Sequence, residues 1–173
     1  MSSITRKVGV LAALACLAVP TAALAGGKHG KNGRMTGGGK AMGVSNGAPV
    51  KVTHGFQLRC RVEKVPHRLQ VNWSGGGKFH LEELTFADCI ETALDQENPE
   101  APFDTYVGKG YGRNGSYAEW TFTDDGEPGR TDGFRITVWA SDDTSQDPIL
   151  EVDDDLSLGG NHQAHRVTGS LAR

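Results

Sequence analysis

The feature that most constrains the fold is a series of short stretches in which apolar and polar residues alternate, with no sustained helical period between them. In residues 52–60 the side chains of His54, Phe56 and Leu58 share one face of an extended chain with Cys60. Similar stretches, separated by Gly, Pro, Asn and Asp, cover residues 69–73, 79–81, 120–122, 134–139 and 150–152. Several short strands with turn signals between them predict an all-β fold, an antiparallel β-sandwich with a small barrel as the alternative.

The first 25 residues have the pattern of an export signal. Arg6-Lys7 supplies the positive charge, residues 8–19 are apolar, and Ala23-Leu24-Ala25 has the small residues of a cleavage site. The apolar stretch is shorter than the 20 or so residues that span a bilayer, and no later stretch is long enough. A lipid-modified Cys16 is an alternative, but alanines precede it where leucine is usual. We therefore expect a signal peptide over residues 1–25 and a secreted or surface-associated protein without a transmembrane segment.

Cys60 and Cys89 would be the two cysteines of the exported chain. A disulfide is the default outside the cytoplasm, and two cysteines so far apart lack the close spacing of a zinc site. Closing a loop of this length is worth about 3.5 kcal/mol in the chain-entropy estimate. The sequence therefore predicts a Cys60–Cys89 disulfide.

The charge of the chain is unevenly distributed. Loss of Arg6 and Lys7 with the signal changes the formal net charge from −3 to −5, yet residues 26–62 contain seven Lys or Arg and no acidic residue. Nine of residues 26–47 are glycine, which loses much backbone entropy on ordering, so this segment is expected to be a disordered basic arm before a single β domain at residues 48–173. It would be a solvated tether or an attachment to an anionic wall polymer or lipid surface. Nucleic acid is not expected, because the arm has no aromatic residues to stack on bases.

Six short motifs together resemble one family of secreted bacterial proteins. They are GRMTGGG at 33–39, VTHGF at 52–56, VNW at 71–73, FHLE at 79–82, GEPG at 126–129 and GNHQAH at 160–165. As an ordered set, with Cys60 and Cys89, they resemble the post-choice-of-anchor domain family. The resemblance implies an extracellular module, often attached to other surface domains, with a disulfide and no established catalytic function.

Histidines are the first candidates for a metal site. His162 and His165 are three residues apart and would share one side of a helical turn, whereas in a strand they would face opposite ways. On such a turn they could bind zinc or copper, with His80 or His54 as a third ligand and Glu82 or an aspartate of residues 153–155 as a fourth. The alternative is that one histidine bonds a backbone carbonyl and the other is solvated.

Acidic residues crowd one turn at residues 123–132. Asp124, Asp125, Glu127 and Asp132 offer the oxygen ligands that Ca²⁺ prefers, and residues 153–155 are a second acidic run. The spacing does not match the twelve-residue calcium loop, and aspartates also favour turns by bonding their own backbone. Calcium binding is therefore a hypothesis beside ordinary turn chemistry.

Four aromatic residues are not forced inward by alternation and are candidates for a binding surface: Tyr106, Tyr111, Tyr117 and Trp139. No catalytic residue can be named, since there is no G-x-S-x-G motif and no carboxylate pair stands out. We expect a non-catalytic, surface-associated interaction or structural module whose partner is a cell-wall or surface polymer or another surface protein. A calcium- or zinc-binding domain is the alternative, and a hydrolase of unrecognised type is the third.

Overall fold

The computed structural model describes residues 33–63, 65–92, 101–127, 129, 131–156 and 158–166. The predicted signal peptide and residues 26–32 of the predicted arm lie outside these residues. Nine strands and no helix occur in the described part of the chain. The strands are β1 (Gly33–Ser45), β2 (Ala48–Arg59), β3 (Arg68–Trp73), β4 (Gly77–Ile90), β5 (Thr105–Gly112), β6 (Tyr117–Thr123), β7 (Gly133–Trp139), β8 (Leu150–Asp155) and β9 (Gly160–Arg166). Nowhere in these residues is there a helix long and apolar enough to cross a membrane.

Strands β1 to β8 form a closed antiparallel barrel, and β9 is an extra strand. Strands β2 to β8 pair consecutively in sequence order, and β1 pairs with β2 along residues 34–45. The barrel closes where Val44 of β1 pairs with Glu151 of β8. At this seam Ser45 Oγ also donates to the carbonyl oxygen of Ile149, at 2.8 Å. The all-β prediction is confirmed and the barrel is the alternative that was named, whereas the sandwich is wrong.

Strand β1 corrects the prediction of a disordered arm. Its 13 residues pair with β2 on one side and with β9 on the other. Its glycines serve close packing: a Cβ on Gly37 would lie 2.6 Å from the backbone oxygen of Asn161 and 2.9 Å from the Cα of His162. Met35 and Ala41 supply buried apolar contacts between these glycines. The hydrogen-bonded ladders and these contacts offset the entropy that glycine loses.

The interior of the barrel is filled by the inward residues of every strand. Phe56 and Phe122 lie 4.5 Å apart between ring centroids, and Phe79, Phe134 and Trp120 are buried around them. Alternation predicted these inward positions in β2, β4, β6 and β7 correctly. An eight-stranded barrel is just wide enough to be filled by side chains, so this interior is a core.

The predicted disulfide is confirmed. Cys60 follows β2 and Cys89 lies near the end of β4, with their Cα atoms 5.4 Å apart. The backbone N–H of Cys60 donates to the carbonyl oxygen of Gly33 at 3.0 Å. The covalent link therefore fixes the start of β1 and the ends of β2 and β4 at one point of the barrel.

Candidate functional site

Two histidines meet inside the barrel. The Nε2 atoms of His54 in β2 and His162 in β9 lie 2.7 Å apart. The His54 ring stacks on Phe134 at 3.8 Å between centroids, and the His162 ring meets Phe56 edge-on at 5.0 Å. Both side chains are buried. They are the most deeply placed imidazoles of the described residues.

The hydrogen bonds of this pair fix its tautomers. His162 Nδ1 lies 3.0 Å from the carbonyl oxygen of Thr123, so this nitrogen carries the proton. His162 Nε2 must then accept from the N–H of His54 Nε2. Burial lowers the pKa of His54 to about 3, with the neighbouring His162 as a second cause, and burial lowers the pKa of His162 to about 4. The pair is neutral at pH 7 and packs as part of the core.

Two buried carboxylates hold β9 from the side that faces away from β1. Asp132 Oδ2 accepts from the N–H of His162 at 2.5 Å, and Asp124 Oδ2 accepts from the N–H of Ala164 at 2.8 Å. Asp132 Oδ1 also accepts from the N–H of Asp125 at 3.0 Å. Burial raises the pKa of Asp132 to about 6. These carboxylates bind backbone N–H groups of an edge strand, where a further strand would otherwise pair.

Of the predicted metal ligands, the structure brings His54 and His162 together but leaves His165, His80 and Glu82 apart from them. The helical turn expected at residues 162–165 is wrong, because these residues lie in β9 and their side chains alternate. His162 faces the core, whereas His165 Nε2 lies 2.8 Å from Thr36 Oγ1 outside it. His80 and Glu82 are on the outer face of β4. No group of three His, Cys, Asp or Glu suited to a metal ion occurs among the described residues.

The residues of the predicted calcium turn are engaged by N–H donors. Asp124 Oδ1 accepts from the N–H of Gly126 at 3.1 Å, in addition to its bond to β9. Glu127 Oε1 accepts from the side-chain amides of Asn161 at 2.9 Å and Gln163 at 3.0 Å. These two amides lower the pKa of Glu127. The acidic turn thus fastens β9 from both its buried and its exposed side.

Three of the four predicted surface aromatics form a row across β5, β6 and β7. Tyr111 pairs directly with Tyr117, and Tyr117 pairs with Trp139. Their centroids are 5.4 Å and 6.1 Å apart, and all three are partly exposed on the outer face. We call Tyr111, Tyr117 and Trp139 the aromatic row. Tyr106 does not belong to it, because it faces the core and its hydroxyl donates to the carbonyl oxygen of Arg59 at 3.1 Å. The prediction that Tyr106 belongs to a binding surface is therefore wrong.

Acidic side chains border the aromatic row. The Tyr117 hydroxyl donates to Glu119 Oε1 at 3.2 Å, and the Tyr111 hydroxyl donates to Asp142 Oδ2 at 3.3 Å. Burial, followed by the charge of Glu119, raises the pKa of Tyr117 to about 12, and the charge of Asp142 raises the pKa of Tyr111. Both hydroxyls therefore stay protonated at neutral pH and the rings keep fixed orientations.

A polar groove of about 1000 Å³ lies on the outer face of β2, β3 and β4. Six of the side chains that line it carry amide, imidazole or cationic groups: Gln57, Arg68, Gln70, Asn72, His80 and Arg113. We call these six residues the cationic groove. Its floor includes Gly55, where a Cβ would have no atom within 4 Å. The groove is thus open above a strip of bare backbone.

A second groove, of about 770 Å³, lies on the outer face of β5 to β8 near the β1–β2 turn. It contains the ion pairs Lys109–Glu119, at 2.9 Å, and Arg135–Asp153, at 2.5 Å. Both cations that line it, Lys109 and Arg135, are therefore already paired with carboxylates. Asp132, the carboxyl whose pKa burial raises, lines neither groove.

In comparison with known proteins, the chain matches no protein-family model, no curated protein and no solved structure. The resemblance to the post-choice-of-anchor family therefore stays a prediction. What the protein does has to be argued from its own surface.

Several residues of these sites were missed by sequence reasoning. Alternation placed His54 inward but gave no signal for its contact with His162, 108 positions away. Arg68 and Arg113 received no role, because the groove forms only when β3 and β4 pair and the β5–β6 turn reaches them. Had residues 160–166 been predicted as a strand, His162 and His165 would have been placed on opposite faces.

Proposed function

We propose that the protein is a secreted, non-catalytic interaction module that binds a neutral polysaccharide through the aromatic row. The observation that supports this is the direct cross-strand register of Tyr111, Tyr117 and Trp139 on the outer face. Aromatic rings present a flat apolar surface with a polar edge, which suits the apolar face of a sugar ring. Three of them in line suit a chain of sugars more than a single one.

The polar border of the row fits the same ligand. Glu119 and Asp142 already accept hydrogen bonds from the tyrosine hydroxyls, and their remaining lone pairs can accept from sugar hydroxyls. Glu119 is paired with Lys109, so Asp142 is the carboxylate of this border that disfavours an anionic ligand, and we assign a neutral polymer to the row. The placement of the row on three strands of a closed barrel keeps the rings in position before binding.

The experiment is binding of the full chain to cellulose, chitin and amylose, followed by sedimentation and by the fluorescence of Trp139. Tyr117→Ala should weaken binding about tenfold or more, because the central ring contacts both neighbours. Tyr117→Phe should bind as the parent chain does, since the ring is kept. Trp139→Phe should abolish the fluorescence change.

Phe86 is the matched control, because it is an exposed aromatic residue of β4 outside the row, 42% accessible. Phe86→Ala should leave binding unchanged. Binding to none of the three polymers, or equal losses in Phe86→Ala and Tyr117→Ala, would contradict the proposal. Circular dichroism of each variant separates lost binding from lost folding.

A further inference from the structure

The charges of three neighbouring strands are one-sided. Strands β1, β2 and β3 contain five Lys or Arg residues and no Asp or Glu, although the whole chain has more acidic than basic residues. Arg34 and Arg59 even pair directly across β1 and β2. Like charges in opposite positions destabilise a sheet, so the outer face here is prepared for an anionic partner.

The cations of the cationic groove are not neutralised within the described part of the chain. Within the described residues no carboxylate forms an ion pair with Arg68 or Arg113. Arg135, on the other side of the barrel, is by contrast paired with a carboxylate. Arg59, which follows Gln57 on the same face, has a buried Nε for which no described residue is a hydrogen-bond partner. Among the described residues, Glu82 is the one carboxylate that lines the groove.

Neutral hydrogen-bonding side chains lie beside these charges in the groove. Gln70 Nε2 donates to Asn72 Oδ1 at 3.3 Å, which orients both amides, and Gln57 lies one strand away. Amides offer donors and acceptors together, as sugar hydroxyls require. Guanidinium groups bind carboxylates through two parallel hydrogen bonds. The groove therefore combines partners for hydroxyls with partners for carboxylates.

The groove continues as a track rather than ending in a closed pocket. A smaller cavity of about 220 Å³ shares Gln70, His80 and Arg113 with it and extends to Lys78 and Asn114. The bare backbone at Gly55 lets a chain lie close to the sheet. A linear ligand several residues long fits this shape better than a compact one.

We propose that the cationic groove binds a carboxylate-bearing polysaccharide. This goes beyond the neutral polymer assigned to the aromatic row and depends on different residues. Bases of a nucleic acid would need rings to stack on, but the one phenylalanine that lines the groove, Phe56, packs inward against Phe122. A lipid surface would need exposed apolar groups, whereas Leu69 and Leu81 of the groove are buried.

The test is isothermal titration of the full chain with polygalacturonate, a uronic-acid polymer. The double variant Arg68→Ala/Arg113→Ala should bind about 10-fold more weakly or worse, and affinity should fall as salt rises. Arg68→Lys/Arg113→Lys should recover part of the binding, because it keeps the charge but loses the paired hydrogen bonds. Arg135→Ala, which removes one exposed cation from β7, should stay within about twofold of the parent chain.

Three further probes make the outcome decisive. Amylose should compete for the aromatic row and leave polygalacturonate binding unchanged, and Tyr117→Ala should bind polygalacturonate as the parent chain does. Tighter binding of single-stranded DNA or of phosphatidylglycerol vesicles than of polygalacturonate would overturn the proposal. So would equal losses in Arg135→Ala and in the double alanine variant. A chain that binds polygalacturonate but none of cellulose, chitin and amylose would count against the aromatic row and leave the proposal for the cationic groove standing.

Discussion

At the scale of single residues, glycine has two different uses in this sheet. Gly37 lies beside β9 in the sheet, and a side chain at this position would collide with the backbone of Asn161 and His162. Gly55 lies on the outer face with open space above it. The same residue type thus permits contact between two strands in one place and exposes a strip of backbone in the other.

Gly37→Ala should lower the free energy of unfolding by about 2 kcal/mol, because the new methyl group forces β9 away from β1. The matched control is Gly55→Ala, which adds the same atom in the same ladder without a collision and should be neutral or slightly stabilising. Urea unfolding curves of both variants give the comparison. An equal effect of the two substitutions would show that the packing against Asn161 and His162 is not what requires glycine.

Residue-level prediction succeeded where apolar residues alternate and failed where they do not. His80 lies outside because Phe79 and Leu81 on either side of it are buried, as alternation predicts. Tyr106 gave no such signal, since the other inward positions of β5 include Gly108 and Gly110. A strand whose inner face is mostly glycine does not reveal which side of it is buried.

At the scale of elements, β9 is held by side chains on the edge where a tenth strand would otherwise pair. Asp124 and Asp132 accept from its alternate N–H groups, and Glu127 binds its outward amides. Exposed edge strands favour association of one chain with another. The acidic turn after β6 therefore protects this edge as well as fixing it.

Asp132→Ala should lower the free energy of unfolding by about 1 to 3 kcal/mol, because the buried N–H of His162 and the part-buried N–H of Asp125 lose their acceptor. The amide of His162 should also exchange with solvent faster. Asp153→Ala is the control, because it also removes a carboxylate, but one whose side chain is 79% exposed. A change of less than about 0.5 kcal/mol is expected there. Unchanged exchange at His162 in Asp132→Ala would contradict the capping role.

Strands β1 and β9 were not predicted, for a common reason. β1 contains Gly37, Gly38 and Gly39 in succession, and β9 contains no long apolar residue, so neither has the local pattern of a strand. Each becomes a strand through tertiary pairing, since β9 pairs with β1 and β1 pairs with β2 as well. Tertiary pairing of this kind outweighs local propensity and cannot be read from one segment.

At the scale of the molecule, the buried titratable groups should make stability depend on pH. The pKa values of His54 and His162 are lowered to about 3 and about 4, so the unfolded chain takes up protons below the ordinary histidine pKa of 6.5 and the folded chain does not. Stability is then lost as the pH falls from 6.5 toward 4. Asp132 acts in the opposite sense between about pH 6 and 3.8, because its folded pKa is the higher one.

Two histidines outweigh one aspartate, so the free energy of unfolding should be about 2 kcal/mol lower at pH 5 than at pH 7. Urea unfolding at the two pH values measures this difference. His54→Phe should reduce it, because one of the two histidines that take up protons on unfolding is gone. Stability that is constant or rises from pH 7 to pH 5 would contradict the burial of the pair.

The choice between a sandwich and a barrel also belongs to this scale. Both have the same short alternating strands, and they differ only in whether the first and last strands of the sheet meet. Here that meeting depends on one residue pair, Val44 with Glu151, and on side-chain bonds such as that of Ser45. Neither segment has a local sequence pattern that predicts this pairing.

The position of β1 between β2, β8 and β9 has a consequence for the order in which the molecule can be completed. A ribosome makes residues 33–45 more than a hundred residues before residues 160–166, so β1 can pair with β2 early but waits for its other neighbours until almost the whole chain has emerged. Pairing so distant in sequence is slow. A chain that cannot finish its sheet early stays open for longer during its synthesis.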